Sequence, residues 1–268
     1  MKNYRSILLD LDGCIYRGNQ IIVGVREALR GFRERGVKIL FLTNNSTMTS
    51  EGYAEKLRVM GIESVPEEFL TSGEAASHYI LMNSGPSNIL PITEDGFKDY
   101  CRRMNHKVLE IKDWRLAEYV VVGLDRNFNY MKLRAACRAI MNGAIFIATN
   151  VDRTIPTEDG LDPGAGSIVA AIREATLKEP IVIGKPSKIM MELALHKVGV
   201  SPSEILVVGD RLETDILAGK VIGADTALLL SGATTRDAVE RAPPQNKPDY
   251  VAENLLELYK NLVRLHLI

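Results

Sequence analysis

The stretch Ile7-Leu8-Leu9-Asp10-Leu11-Asp12-Gly13 guides the interpretation of the whole chain. Its apolar start predicts a buried strand over Ser6–Leu9, and two carboxylates follow where that strand ends. Because alternate residues of an extended chain point to the same side, Asp10 and Asp12 can share one metal ion and one substrate. Ligands of open parallel sheets bind beyond the carboxyl ends of the strands, so polar residues at strand ends are the candidates for a site.

Short runs of Ile, Val and Leu alternate with amphipathic segments along the rest of the chain, a pattern typical of βαβ units. Helices are predicted over Val25–Arg35 and over about Glu51–Met60, each followed by a glycine. The segment Asn150–Gly166 is rich in Gly, Pro and Asp and is predicted to be a loop. Further strands are predicted over Val37–Leu42, Asn88–Ile92, Tyr119–Val122, Ala144–Ala148, Ile181–Ile183, Ile205–Val208 and Thr226–Leu230. These patterns together predict an α/β fold with a doubly wound parallel sheet.

Composition excludes several classes of protein. The 268 residues are 46% apolar, and 33 basic residues balance 34 acidic ones, so neither a nucleic-acid nor a membrane partner is expected. Cys14, Cys101 and Cys137 are widely spaced without a CxxC pair, which favours a reducing compartment over disulfides or a zinc site. Asp10 and Asp12 interrupt the apolar N-terminus before it could serve as a signal or membrane span, so a cytoplasmic protein is expected.

Three more clusters of polar residues follow predicted strands. Thr43-Asn44-Asn45-Ser46 offers hydroxyl and amide donors for phosphoryl oxygens. Lys185 provides a positive charge directly before a predicted helix. Asp210 and Asp215 lie at a strand-to-helix turn, where two acids suit a hard cation such as Mg²⁺. Each cluster alone is more often a turn, a helix cap or a solvated surface, but their combination in this order indicates one site.

The combined pattern resembles the four motifs of phosphatases of the haloacid dehalogenase superfamily: Asp-x-Asp-Gly, Thr-Asn-Asn, Gly-Lys-Pro and Gly-Asp-Arg-x-x-Thr-Asp. Three segments resemble those of the branch that contains NagD, para-nitrophenylphosphatases and pyridoxal phosphate phosphatase, namely Thr43–Ser46, Pro163–Ser167 and Gly209–Asp215. This resemblance covers essentially the whole chain. It implies a magnesium-dependent phosphohydrolase that acts on small phosphorylated metabolites through an aspartyl-phosphate intermediate, and it suggests a homodimer.

The resemblance assigns separate roles to the carboxylates. Asp10 would be the nucleophile and a metal ligand. Asp12 would be the general acid and base and would bind the metal through its backbone carbonyl, while Asp210 would be the third protein ligand of Mg²⁺. Cys14 stands where many relatives have Thr, and we interpret it as a small packed residue rather than a redox group.

The same resemblance assigns the residues that bind the phosphate. Thr43, Asn44 and Asn45 would donate hydrogen bonds to the phosphoryl oxygens. Lys185 would neutralise the nucleophile and the phosphate, because a carboxylate that attacks a phosphate dianion meets like charge. Asp215 would support either Lys185 or the water shell of the metal.

A second domain is predicted within the chain. About 140 residues separate Thr43 from Lys185, far more than the dozen or so that a parallel crossover needs. The resemblance implies an inserted α/β cap over residues 75–180 and a catalytic core formed by residues 1–74 and 181–268. Such a cap would exclude water and choose the substrate.

Three cap residues are expected to face the leaving group, namely Asn150, Asp152 and Ile155. Ile155 occupies the position at which relatives that act on pyridoxal phosphate carry a histidine, directly before the proline that is Pro156 here. A pyridoxal phosphate specialist is therefore disfavoured. Glycolate, glycerol, sugar and nucleoside monophosphates all remain candidate substrates.

Three other functions compete with the phosphatase as explanations of these motifs. A receiver domain is a phospho-acceptor binding module with a similar acid cluster, but its acceptor follows the third strand rather than the first. A dinucleotide site at Gly164-Ala165-Gly166 would lack a preceding strand and has Val169 in the place of a third glycine. A phosphomutase shares the acid pair and is the closer enzymatic alternative, although the large cap resembles that of hydrolases.

Overall fold

A computed structural model describes residues 2–157 and 160–268 of the chain. Its strands are β1 (Ser6–Asp10), β2 (Tyr16–Arg17), β3 (Gln20–Ile21), β4 (Lys38–Thr43), β5 (Phe69–Thr71), β6 (Asn88–Ile92), β7 (Lys107–Val108), β8 (Tyr119–Val122), β9 (Ile145–Ala148), β10 (Thr154–Thr157), β11 (Gly160–Pro163), β12 (Ile181–Val182), β13 (Ile205–Gly209), β14 (Asp225–Leu229) and β15 (Tyr250–Ala252). Its α-helices are α1 (Val25–Glu34), α2 (Ser50–Val59), α3 (Ser72–Ser84), α4 (Asp95–Arg103), α5 (Tyr130–Met141), α6 (Ala165–Thr176), α7 (Lys188–Val198), α8 (Leu217–Ile222), α9 (Arg236–Arg241) and α10 (Leu255–Arg264). The predicted α/β class is confirmed.

The chain divides into two compact units, each with its own parallel sheet. The first unit comprises Met1–Thr43, Tyr53–Leu70 and Lys185–Ile268, and the second comprises Asn44–Gly52 and Thr71–Gly184. The functional division into a core and a cap, with boundaries after residues 74 and 180, stays a prediction. Among the described residues, none of the helices combines the length and apolar character that a bilayer crossing demands.

The sheet of the first unit has the strand order β15-β14-β13-β1-β4-β5. β1 lies inside this sheet and pairs in parallel with β13 on one side and β4 on the other. Its residues 7–9 are fully buried, as expected for a strand covered on both faces. Because these three strands run parallel, their carboxyl ends lie at one edge of the sheet, and this edge carries Asp10, Thr43 and Asp210.

The sheet of the second unit has the order β12-β9-β8-β6-β7, and its strands are parallel. All four residues of β8 are buried, so this strand forms the middle of the unit. Residues of α5 and α6 pack on the strands in one apolar cluster that includes Val120, Ala136, Phe146 and Ile172. The alternation of strand and helix predicted for this part of the sequence thus builds a separate core.

The prediction of a loop over Asn150–Gly166 was wrong in part, because two strands within this segment pair in antiparallel. Positions 158 and 159 of the predicted loop lie outside the described residues. β10 pairs with β11, with Thr154 opposite Pro163 and Ile155 opposite Asp162. Proline normally argues against a strand because it lacks the backbone N–H, but both strands of a two-stranded hairpin are edges and can accommodate it. The short strands β5, β7 and β15 were also missed, since two or three residues are too few to show a period.

Candidate active site

Lys185 lies at the centre of a buried ion-pair network in the first unit. Its Nζ donates hydrogen bonds to Oδ1 of Asp10 and to Oδ1 of Asp215, both at 2.7 Å, and to the carbonyl oxygen of Leu42 at 3.2 Å. An ammonium group has three hydrogens, which matches these three acceptors. The side chains of Lys185 and Asp215 are only 4% and 1% exposed. Charges buried to this degree require such pairing, because removing one partner would leave the other uncompensated.

The network sets the charges of its members. Burial on its own would lower the pKa of Lys185, but Asp10 and Asp215 raise it above its ordinary value, so the ammonium stays charged. Burial raises the pKa of Asp10 well above its ordinary value; Lys185 opposes that shift, whereas Asp215 and Asp210 add to it. Asp10 therefore needs nearby positive charge in order to act as an ionised nucleophile.

Asp210 follows β13 and lies in a cradle that two glycines leave open. Its Oδ2 accepts a hydrogen bond from the backbone N–H of Ala233 at 2.7 Å. Gly13 has φ +79°, and a Cβ there would lie 2.5 Å from Oδ2 of Asp210. A Cβ on Gly232 would overlap the same oxygen. Burial, followed by the charge of Asp215, raises the pKa of Asp210 to about 6.

The carboxylates of Asp10 and Asp210 fit a hard divalent cation. One oxygen of each carboxylate and the Sγ of Cys14 lie within 4.8 Å of one another. Oxygen ligands suit Mg²⁺, whereas a neutral thiol does not. Burial, followed by the charge of Asp210, raises the pKa of Cys14 well above its ordinary value, so the thiol stays protonated. Cys14 is fully buried, as expected for a small packed residue.

A lysine that the sequence motifs do not include, Lys56, influences the pKa of Asp12. Burial raises the pKa of Asp12, while the positive charges of Lys56, Lys185 and Arg211 lower it. Lys56 belongs to α2, and its Nζ lies 3.7 Å from the ring centroid of Tyr16. Burial lowers the pKa of Lys56, and Asp12 counteracts that shift. A helical lysine carries no motif, so only the packing of α2 reveals it.

The turn after β14 was also missed as part of the site, although it supports Asp210 through Gly232 and Ala233. Ser231 precedes these residues, and its Oγ donates to the carbonyl oxygen of Gly13 at 2.8 Å. Small residues directly after a predicted strand, here Ser231-Gly232-Ala233, are the signal that could have indicated this turn.

The residues that follow Thr43 in the chain belong to the second unit and contact predicted cap residues there. Nδ2 of Asn44 lies 3.3 Å from both carboxylate oxygens of Asp152. The carbonyl oxygen of Asn44 accepts a hydrogen bond from Nδ2 of Asn150 at 2.6 Å. Asn45 closes its own turn, since its Oδ1 accepts hydrogen bonds from the backbone N–H and the Oγ1 of Thr47.

Ile155 has different surroundings from Asn150 and Asp152. It lines a cavity of about 480 Å³ in the second unit, with Leu124, Phe128 and Ile168 among the other lining residues. Asn150 and Asp152 do not belong to the lining of this cavity. The three predicted cap residues therefore divide into one that borders a cavity and two that bind Asn44.

Comparison with known proteins places this arrangement in a family. The profile of the haloacid dehalogenase-like hydrolases matches residues 7–107, and a HAD-hydrolase-like profile matches residues 182–258. The chain is 38% identical over 257 residues to 5'-nucleotidase YutF of Bacillus subtilis, covering 96% of this chain and 98% of that protein. The chain belongs to the haloacid dehalogenase-like hydrolases.

Solved structures of this hydrolase family place the chain more closely. A p-nitrophenyl phosphatase from Archaeoglobus fulgidus superposes with a TM-score of 0.90 at 35% identity and covers 97% of this chain and 100% of its own. A glycerol phosphate phosphatase from Mycobacterium tuberculosis, in complex with magnesium, superposes with a TM-score of 0.89 at 32% identity over 96% of this chain and 76% of its own. The chain is thus a hydrolase of phosphate monoesters in the NagD and p-nitrophenyl phosphatase branch.

Proposed function

We propose that the chain is a Mg²⁺-dependent phosphatase in which Asp10 is the nucleophile. The observation that carries the proposal is the 2.7 Å ion pair between Asp10 and the buried Lys185, with a second carboxylate, Asp210, directly beside it. A lone buried carboxylate would be neutral, whereas one that is paired and next to a cation site can be ionised and attack phosphorus.

The charges around Asp10 make the attack feasible. Lys185 stays charged between Asp10 and Asp215 and offsets the repulsion between the nucleophile and a phosphate dianion. Asp10, Asp210 and the backbone carbonyl of Asp12 would hold Mg²⁺, which supplies further positive charge to the phosphoryl oxygens. The bond from phosphorus to the leaving oxygen then breaks as the Asp10 carboxylate forms an aspartyl phosphate.

Asp12 would handle the protons of both steps. Its raised pKa favours a protonated carboxyl group that can donate its proton to the leaving oxygen. The resulting carboxylate then accepts a proton from water, whose oxygen attacks the aspartyl phosphate. Inorganic phosphate leaves, and both Asp10 and Asp12 return to their starting states.

The substrate would be a small phosphomonoester whose phosphoryl oxygens accept hydrogen bonds from Thr43, Asn44 and Asn45. Of the three cap residues, Ile155 borders the cavity of the second unit, whose walls carry both apolar and charged side chains, and we assign it the contact with the leaving group. The names of the relatives differ in substrate, since one is a 5'-nucleotidase and another a glycerol phosphate phosphatase. This variation supports a shared phosphoryl site with a variable site for the leaving group.

Replacement of the nucleophile tests the proposal. Asp10→Asn keeps the shape and the oxygen that faces Lys185 but removes the negative charge, so we expect hydrolysis of p-nitrophenyl phosphate to fall by about a thousandfold or more. Steady-state kinetics and a melting curve on the same preparation measure this. A folded variant with substantial activity would contradict the assignment of Asp10.

Metal exchange tests the cofactor separately. EDTA should abolish activity, and Mg²⁺ should restore it. Ca²⁺ should not, because it is larger and takes more oxygen ligands at longer distances. Equal activity with Ca²⁺, or activity after EDTA treatment, would rule out the proposed metal role even if Asp10 proved essential.

A further inference from the structure

The carbonyl oxygen of Asn44 is held by two side chains of the second unit. Nδ2 of Asn150 donates to it at 2.6 Å, and Oγ of Ser72 donates to it at 2.5 Å. Asn150 is 4% exposed and Ser72 is fully buried. A carbonyl oxygen has two lone pairs, so this pair of donors satisfies both of them and fixes the direction in which the carbonyl points.

The direction of that carbonyl determines the direction of the next backbone donor. The carbonyl of Asn44 and the N–H of Asn45 belong to one planar trans peptide and point in opposite directions. Rotation of this peptide would require both short hydrogen bonds, from Asn150 and Ser72, to break. The hydrogen bonds from Asn150 and Ser72 therefore orient the backbone of the segment Thr43–Asn45, which the proposed function assigns to binding the phosphate.

Asn150 is itself held in one orientation by Asp152. The backbone N–H of Asp152 donates to Oδ1 of Asn150 at 3.1 Å, so the amide of Asn150 accepts on one side and donates to Asn44 on the other. The carboxylate of Asp152 in turn faces Nδ2 of Asn44. Asn150 and Asp152 thus hold both the main chain and the side chain of Asn44.

The neighbouring residue extends the same arrangement. Thr149, which is fully buried at the end of β9, has its Oγ1 3.2 Å from Oγ of Ser46. The segment Thr149–Asp152 therefore runs along the segment Asn44–Ser46 and bonds to it at three side chains. The side chains of Thr149, Asn150 and Asp152 thus contact the segment Asn44–Ser46, whereas Ile155 borders the cavity of the second unit.

We propose that Asn150 and Asp152 are positioning residues that orient the phosphate-binding segment for every substrate alike, and that they do not select the leaving group. The proposal rests on the proposed phosphatase function, because it assigns the work of these residues to the phosphoryl side of the reaction. It separates them from Ile155, whose contacts should depend on the leaving group.

Asn150→Asp is the sharpest test, because it replaces the donating nitrogen with an oxygen of similar size that repels the carbonyl of Asn44. We expect kcat/KM to fall by about tenfold or more, and by the same factor for p-nitrophenyl phosphate, glycerol phosphate and a nucleoside monophosphate. The inhibition constant of inorganic phosphate should rise by a comparable factor, since phosphate carries no leaving group.

Companion variants keep the test decisive if Asn150→Asp folds poorly. Ser72→Ala removes the other donor to the same carbonyl and should produce the same uniform loss. Asp152→Asn keeps an acceptor for Nδ2 of Asn44 and should retain more activity than Asp152→Ala. Thr176→Val is the matched control, because Thr176 is also buried in the second unit but donates within α6 to the carbonyl of Ile172, so it should lower stability alone.

Two results would overturn the proposal. A change of threefold or more in the ratio of kcat/KM between substrates in Asn150→Asp, similar to that in Ile155→Ala, would make Asn150 a specificity residue. A lowered melting temperature with unchanged kcat/KM and unchanged phosphate inhibition would make its role purely structural. Because Asp10→Asn is assayed in parallel, a failure of the proposed function would show independently as Asp10-independent activity.

Discussion

Asp12 has two duties in the proposed mechanism, and they respond differently to the leaving group. Para-nitrophenolate needs little protonation, so Asp12→Ala should still form the aspartyl phosphate from p-nitrophenyl phosphate but hydrolyse it slowly. Rapid mixing should therefore show a burst that approaches one equivalent of p-nitrophenolate for each active site, followed by slow turnover.

An alkyl phosphate provides the internal comparison for Asp12→Ala. Its alkoxide is a poor leaving group, so the first step should also fail and no phosphoenzyme should accumulate. Normal steady rates on both substrates, with unchanged affinity for Mg²⁺, would refute the acid-base assignment. In the wild type, the positive charge of Lys56 lowers the pKa of Asp12 and so opposes the protonated form of this carboxyl group.

The element that supports Asp210 is the turn after β14. Gly232→Ala would place a Cβ on Oδ2 of Asp210, and the turn that donates the N–H of Ala233 would have to move. Displacing a group that orients a metal ligand typically weakens metal binding by about tenfold to a hundredfold. We expect the Mg²⁺ concentration for half-maximal activity to rise in that range, as measured by titration of apoenzyme.

A second glycine separates this effect from a general loss of stability. Gly36 has positive φ, at +74°, and open space surrounds the position of its Cβ. Gly36→Ala should lower the melting temperature through backbone strain and leave the Mg²⁺ titration unchanged. Equal Mg²⁺ dependence in Gly232→Ala and the wild type would contradict the role assigned to the turn.

At the scale of the whole molecule, Mg²⁺ should stabilise the fold. The buried network holds three carboxylates, Asp10, Asp210 and Asp215, against one ammonium from Lys185. A cation that binds this native cluster and not the unfolded chain raises stability in proportion to the logarithm of its concentration. We expect Mg²⁺ far above its Kd to raise the melting temperature by about 5 °C relative to NaCl of equal ionic strength.

Asp210→Asn distinguishes site binding from a general salt effect. The amide keeps an oxygen for the N–H of Ala233 but removes one of the crowded negative charges. The variant should therefore melt at a higher temperature than the wild type without metal, and its response to Mg²⁺ should nearly vanish. The same rise with Mg²⁺ in both proteins would show that the cation acts elsewhere.

The sequence determined the framework of the first unit because its signals are local. Apolar runs of strand length predict β1 and β13 to within one or two residues, and the acids that follow them lie at the edge where parallel strands end. The motif spacing also indicated that Lys185 and Asp10 belong to one site, and they form an ion pair. Functional residues at the end of a strand can be predicted from sequence, because they directly follow the apolar run that forms the strand.

Only the tertiary structure decided which side chains from distant parts of the sequence contact or influence the residues of the site. Asn150 and Asp152 bond to Asn44 across 106 and 108 positions of the chain, and Lys56 acts on Asp12 from a helix without a motif. The hairpin of β10 and β11 likewise depended on pairing that its prolines concealed. Such contacts arise when the backbone folds, because hydrogen bonds and ion pairs form between whichever groups packing brings together, and no local pattern encodes the partner.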